Sequence, residues 1–132
     1  MPWKLNGPCG MKNEILVDTN IAIYSFQGKK SVNKLIAGET ITISFITEIE
    51  LLSWPRLAPE EFIYVDLFIK QCRLIEYSPR LKEGVIDIRR RYNLSVSDSF
   101  VAATAWMLEI PLLSADRVYH KVKEIDFFHV KP

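Results

Sequence analysis

Short apolar runs alternate along the chain with longer stretches whose apolar residues recur at helical spacing. The predicted strands are 15–17, 40–44, 73–77, 112–114 and 127–130. The predicted helices are 20–26, 32–37, 47–54, one that starts at Pro59, 79–92 and 96–108. Strands that alternate with helices predict an α/β fold with a mainly parallel sheet of about five strands.

Composition narrows the class of protein without changing this picture. The chain has 132 residues, 48% of them hydrophobic and 11% aromatic, which suits one folded domain and excludes a disordered chain. A formal net charge of +1 excludes a strongly basic protein that coats nucleic acid through its overall charge. Any binding to nucleic acid must therefore use a local basic patch. Cys9 and Cys72 form no CxxC pair, which argues against a thiolate zinc site or a disulfide framework, and we expect a cytoplasmic protein.

Two segments bear on targeting. The apolar run from Phe100 to Leu108 is too short for a membrane span, so we expect no membrane association. Residues 1–10 contain two prolines and two glycines and no apolar core, unlike a signal peptide. We expect them to be a disordered leader or an expression remnant, and residues 11–132 to form a single domain.

Acidic residues follow or flank several predicted strands. Asp18 follows the first strand and Asp116 the fourth; Glu48 and Glu50 lie in the helix after the second, and Asp98 begins the helix before the fourth. Parallel strands present their carboxyl ends at one edge of a sheet, where ligands bind, so these positions can converge there. Crowded carboxylates repel one another unless cations intervene, and Mg²⁺ or Mn²⁺ prefers oxygen ligands. Such ions can activate water for phosphodiester cleavage.

Helix capping is an alternative role for the same acids. Thr47 with Glu50, and Ser95 with Asp98, have the spacing of capping boxes. Asp18 and Asp116 each suit a helix N-cap. The two roles are compatible, and the sequence leaves both open.

Four segments resemble the motifs of PIN-domain nucleases, in the same order. They are ILVDTNI at 15–21, SFITEIELL at 44–52, LSVSDSFVAATA at 94–105 and LLSAD at 112–116. The resemblance covers residue 11 to about 130. A PIN domain of this length without further domains is similar to VapC-type toxins of type II toxin–antitoxin pairs. It implies a three-layer α/β/α fold.

The same resemblance implies roles for individual residues. The metal-site acids would be Asp18, Glu50, Asp98 and Asp116, with Glu50 favoured over Glu48 because it precedes the leucine of its motif. Polar support would come from Thr19, Asn20 and Ser114. Many relatives carry a further acid where this chain has Val118, which leaves open whether one or two metal ions bind.

The function implied by the resemblance is a Mg²⁺- or Mn²⁺-dependent endoribonuclease that leaves 5′-phosphate and 3′-hydroxyl ends. Its partners would be RNA, a small VapB-like antitoxin and a second copy in a homodimer. Arg117 is a candidate contact for an RNA phosphate. Trp54 and Tyr92 are candidates for base stacking, although such residues more often simply pack.

Two rival functions follow from other features. A non-catalytic PIN-like domain that binds RNA or acts as a scaffold would normally have lost one or more acids, and all four are present here. A phosphoryl-accepting receiver domain needs an acid after the third strand, where this chain has Tyr77-Ser78-Pro79.

Overall fold

The computed structural model describes residues 13–132, so the expected leader at residues 1–10 lies outside the described residues. The strands in this range are β1 (Glu14–Val17), β2 (Thr40–Ser44), β3 (Arg73–Ile75), β4 (Leu112–Ser114) and β5 (Phe127–His129). The helices are α1 (Thr19–Phe26), α2 (Lys30–Ile36), α3 (Phe45–Leu52), α4 (Pro59–Gln71), α5 (Pro79–Tyr92) and α6 (Val96–Leu108). A 3₁₀ helix spans Arg117–Lys121.

The five strands form one parallel sheet in the order β3-β2-β1-β4-β5, which confirms the predicted α/β class. From β1 the chain moves outward through β2 and β3, and then returns to place β4 on the other side of β1. The strand order therefore reverses between β1 and β4. In open parallel sheets this switch point is where the strand ends leave a crevice.

The sheet is covered on both faces, as the predicted three-layer arrangement requires. Successive strand residues point to opposite faces, so Leu16 packs with the core beneath α5 and α6, while Ile15 and Val17 pack with the core beneath α1 to α4. Leu112 and Leu113 divide between the same two cores. Buried strands with apolar residues on both faces are typical of parallel sheets.

The start of α3 differs from the prediction. Ser44, not Thr47, is the N-cap: its Oγ accepts a hydrogen bond from the backbone N of Ile46 at 3.1 Å. The predicted capping box at Thr47 is therefore wrong, because β2 leads directly into α3 and leaves Thr47 buried within the first turn. Glu50 consequently lies beyond the cap and is available for another role.

Other boundaries agree more closely with the sequence pattern. Ser95 caps α6 as predicted, and Ser78 caps α5, through bonds of 3.1 Å from the backbone N atoms of Asp98 and Leu81 respectively. Asn93 ends α5 in the left-handed region with φ of 54°. The third strand stops at Ile75 rather than residue 77, because its neighbour β2 ends at Ser44, the residue paired with Ile75.

No helix among residues 13–132 has both the length and the apolar character needed to cross a membrane.

Candidate active site

Two carboxylates flank the switch point between β1 and β4. Asp18 follows β1 and is the N-cap of α1, where its Oδ1 accepts a bond of 2.9 Å from the backbone N of Thr19. Asp116 follows β4 and starts the 3₁₀ helix, where its Oδ1 accepts a bond of 2.9 Å from the backbone N of Val118. Both residues therefore serve as caps, as the alternative interpretation of the sequence predicts, and both face the same edge of the sheet.

A cleft of about 270 Å³ opens at this edge. The residues that line it are Asp18, Thr19, Asn20, Ile23, Glu50, Ser97, Asp98, Val101 and Asp116. The four acids named from the sequence thus lie around one cleft, whereas Glu48 does not line it. This placement favours Glu50 over Glu48, and a role of these acids in metal binding stays a prediction.

Asp18 is the most constrained of these acids. Its side chain is buried, and Oδ2 accepts bonds from the Ser114 hydroxyl at 2.8 Å and the Tyr119 hydroxyl at 3.2 Å. Burial raises the pKa of Asp18 above its usual range, and the charge of Asp98 raises it further, while the donated hydrogen bonds act in the opposite direction. A cation in the cleft would oppose both of these effects, because its positive charge favours the ionised form of Asp18.

The three residues proposed as polar support make direct contacts at the site. Ser114 Oγ donates to Asp18 and accepts bonds from Asn20 Nδ2 at 3.2 Å and from the backbone N of Asp116 at 3.0 Å. The Oδ1 atom of Asn20 accepts a bond of 3.0 Å from the backbone N of Ala115. These bonds fasten the end of β4 to the start of α1 and so fix the spacing of the site.

Thr19 places the acid of α3. Its hydroxyl donates to Glu50 Oε1 at 2.5 Å and lies 3.2 Å from the hydroxyl of the buried Thr47. Thr47, expected from the sequence to cap a helix, therefore supports Thr19 instead. Glu50 is turned toward this hydroxyl pair at the border of the cleft.

Tyr119 is a site residue that sequence reasoning missed. Its ring is wholly buried, and its hydroxyl lies 3.2 Å from Asp18 Oδ2 and 3.2 Å from Asp98 Oδ1. In the sequence it stands between Val118 and Val122 and resembles an ordinary core residue. One general rule could have indicated it: a buried tyrosine hydroxyl needs a polar partner, and the acids predicted at the site could provide one.

The donor set suits a hard divalent cation, because the acids and hydroxyls of the cleft offer only oxygen. Within residues 13–132, no three or more His, Cys, Asp and Glu side chains are arranged so that they could hold a metal ion. Glu50 is turned toward the Thr19 hydroxyl, whereas Asp18 and Asp98 share the Tyr119 hydroxyl. The chemistry of the residues fits, and rotation of the Glu50 and Asp116 side chains toward Asp18 and Asp98 would have to complete the coordination.

Three candidate substrate contacts lie outside the lining of the cleft. Arg117 is exposed next to Asp116. Tyr92 donates its hydroxyl to Glu124 Oε1 at 2.6 Å, which matches the packed interpretation. Trp54 lines a separate cavity together with Phe26 and Tyr64.

Comparison with solved structures places the fold among those of toxin–antitoxin systems. A chain of a toxin–antitoxin complex from Klebsiella pneumoniae matches with a TM-score of 0.76 and 20% identity, covering 88% of this chain and 99% of that one. A chain of VapBC2 from Rickettsia felis, bound to a promoter DNA fragment, gives 0.73 and 18%, covering 88% and 98%. A chain of DNA-bound VapBC from Salmonella typhimurium gives 0.74 and 18%, covering 88% and 97%. At these identities the likeness shows the fold alone.

Sequence comparison identifies the family. No curated protein sequence matches the chain. The family model described as PIN domain matches residues 15–125, a range that runs from β1 past the 3₁₀ helix and includes all four acids and Tyr119. Because this match spans most of its length, and the parallel five-stranded sheet agrees with it, the chain belongs to the PIN domain family.

Proposed function

We propose that this protein is the toxin of a toxin–antitoxin pair and acts as a Mg²⁺- or Mn²⁺-dependent endoribonuclease in the cytoplasm. The observation that carries the proposal is the convergence of Asp18, Glu50, Asp98 and Asp116 on one cleft at the switch point of the sheet. The PIN domain match and the fold shared with chains of toxin–antitoxin complexes support it.

The four acids of the cleft would be the ligands of the cation, and they differ in how firmly the protein holds them. Asp18 is fixed by three donors and provides a rigid ligand, whereas Glu50, Asp98 and Asp116 complete the set from three other segments. When bound, a divalent cation supplies activation of water and stabilisation of charge on the leaving oxygen. Arg117, exposed beside Asp116, is positioned to contact an RNA phosphate outside the cleft. Hydrolysis would leave 5′-phosphate and 3′-hydroxyl ends.

The experiment is RNA cleavage by the purified chain with Mg²⁺ or Mn²⁺, on single-stranded and looped substrates. EDTA should stop the reaction. Asp98→Asn should lower the rate about a hundredfold or more, because loss of a ligand removes several kcal/mol of charge stabilisation. Asp66→Asn is a matched control, since Asp66 forms an exposed pair with Lys70 on α4 and should leave the rate unchanged.

The main alternative is a PIN domain that binds RNA or acts as a scaffold without cleaving it. The capping roles of Asp18 and Asp116 are the observation that favours it, because they account for two of the acids without a metal. The same experiment separates the two functions. RNA binding without cleavage in either metal, unchanged by Asp98→Asn, would replace the nuclease by this alternative.

A further inference from the structure

The Tyr119 hydroxyl lies between two of the carboxylates in the cleft. Its oxygen is 3.2 Å from Asp18 Oδ2 and 3.2 Å from Asp98 Oδ1. A hydroxyl has one proton, and a full hydroxyl–oxygen bond is usually about 2.7–2.8 Å long. Two equal and longer contacts are therefore the geometry of one proton shared between two acceptors.

The tyrosine ring is held rigidly by the core. It is wholly buried in the cluster that contains Leu16 and Leu112, and its centroid lies 5.6 Å from that of Phe127. The segment that carries it begins at Asp116, whose own side chain caps the 3₁₀ helix. Because the ring is packed on all sides and its segment is capped, the hydroxyl oxygen has a well-defined position beneath the cleft.

We propose that Tyr119 is a positioning residue that sets the spacing of Asp18 and Asp98 for the cation; this inference rests on the proposed function. Without a donor between them the two carboxylates would repel each other and separate. The shared hydroxyl holds one oxygen of each at the same distance from a single point, while Ser114 donates to the same Oδ2 of Asp18 and the backbone N of Thr19 donates to its Oδ1.

The other two acids are held differently. Glu50 is turned toward Thr19, and Asp116 is exposed and bonds to the backbone of its own helix. Val118, where many PIN domains carry a further acid, packs against the core. Asp18 and Asp98 are thus the two ligands whose spacing is fixed before a cation binds, and Tyr119 is the group that fixes it.

The test is Tyr119→Phe, which retains the packed ring and removes only the hydroxyl. Titration calorimetry with Mn²⁺ should show affinity weakened about 10–100-fold, the usual effect of losing a group that orients a metal ligand. In cleavage assays the Mn²⁺ concentration for half-maximal rate should rise by a similar factor, and saturating Mn²⁺ should restore most of the rate. A residue with only a structural role would not move these two quantities.

Tyr92→Phe is the matched control, because its hydroxyl also donates to a carboxylate, Glu124, at 2.6 Å but does not line the cleft. It should leave Mn²⁺ affinity unchanged. The double variant Asp98→Asn/Tyr119→Phe should bind Mn²⁺ about as weakly as Asp98→Asn alone, since without the Asp98 charge there is no pair of carboxylates for the hydroxyl to space.

Three outcomes would count against the inference in distinguishable ways. Wild-type affinity in Tyr119→Phe, or tighter binding, overturns it while leaving the nuclease proposal intact. Equal losses in Tyr119→Phe and Tyr92→Phe overturn it as well, because the effect would then come from general destabilisation. A wild-type chain that neither binds Mn²⁺ nor cleaves RNA overturns the proposed function and this inference together.

Discussion

The contacts of Asp18 suit both helix capping and the metal binding that we propose. Its Oδ1 caps α1, and its Oδ2 collects the hydroxyls of Ser114 and Tyr119. The same bonds that satisfy a helix end also hold a buried carboxylate at the mouth of the cleft. Capping therefore does not compete with the proposed metal binding at this position; it would supply the rigidity that a ligand needs.

Asp116 allows the two roles to be separated by experiment. Its side chain is exposed and caps the 3₁₀ helix through Val118. Asp116→Asn should keep the cap and, because it removes one charge from the acidic cluster, raise the melting temperature in EDTA, whereas Asp116→Ala should lose about 1 kcal/mol of capping stability. Wild type should gain about 2.7 kcal/mol of stability at a Mn²⁺ concentration a hundred times the dissociation constant, and Asp116→Asn should gain less.

Melting curves with EDTA and with saturating Mn²⁺ measure both effects. Asp66→Asn, on the exposed face of α4, provides the control and should gain as much from Mn²⁺ as wild type. A wild-type melting temperature that is unchanged by Mg²⁺ and by Mn²⁺ would leave Asp116 with its capping role alone.

Helix ends were predictable where one polar residue stood clearly outside the apolar pattern. Ser95 caps α6 and Glu109 closes it in the left-handed region, so the predicted bounds 96–108 are those observed. The start of α3 was not predictable in this way, because Ser44 is both the last residue of β2 and the N-cap of α3. Thr47 was the more conspicuous candidate, and only the direct passage from strand to helix excludes it.

The acids were predictable for a related reason, whereas Tyr119 was not. Asp18 directly follows β1 and Asp116 lies two residues after β4, and a parallel sheet brings such positions to one edge. The contact of Tyr119 with both Asp18 and Asp98 joins three separate segments. Nothing in the local spacing encodes such a contact, because it depends on how α6 and the 3₁₀ helix pack on the sheet.

The C-terminal end of α5 is tied to the segment before β5 by Glu124, which accepts bonds from Tyr92 and Arg91. The hydroxyl of Tyr92 holds the pKa of Glu124 below its usual range, and the positive charge of Arg91 acts in the same direction. The ionised form is therefore favoured by folding. Its contribution is present above the ordinary glutamate pKa of about 4.3 and is lost as the pH falls through the lower pKa of the folded state.

Glu124→Gln should accordingly lower the melting temperature at neutral pH, by an amount that shrinks as the pH falls below about 4. Thermal melting from pH 3 to pH 8 measures the difference. Glu83→Gln, an exposed glutamate of α5, should show a much smaller difference at neutral pH. A Glu124→Gln deficit that stays constant across this range would contradict the assigned cause.

At the scale of the whole molecule, the cleft has an excess of negative charge. Asp18, Glu50, Asp98 and Asp116 face it, and no lysine or arginine lines it among the described residues. We expect a small antitoxin to insert an Arg or Lys side chain among Asp18, Asp98 and Asp116, because a guanidinium or ammonium group is the natural counterion of such a cluster.

Replacing that basic residue of the antitoxin by Ala should relieve inhibition of cleavage more than it weakens binding. Cleavage assays and calorimetry on the same complex measure the two effects. An antitoxin complex whose acidic cleft remains open to solvent would contradict this expectation, and Arg117→Ala in the proposed toxin should leave the inhibition in place.

The strand order also sets when the cleft can first exist during synthesis. The bond between Ser114 and Asp18 joins positions 96 residues apart, and β4 must enter the sheet beside β1 before it can form. A nascent chain that has not yet emerged as far as the end of β4 lacks Ser114, Asp116 and Tyr119, and with them both hydroxyl donors to Asp18 Oδ2. Contacts of such sequence separation are also slow to form, because the loop between them must close first. The enzyme we propose would therefore be inert during translation until β4 and the 3₁₀ helix have emerged.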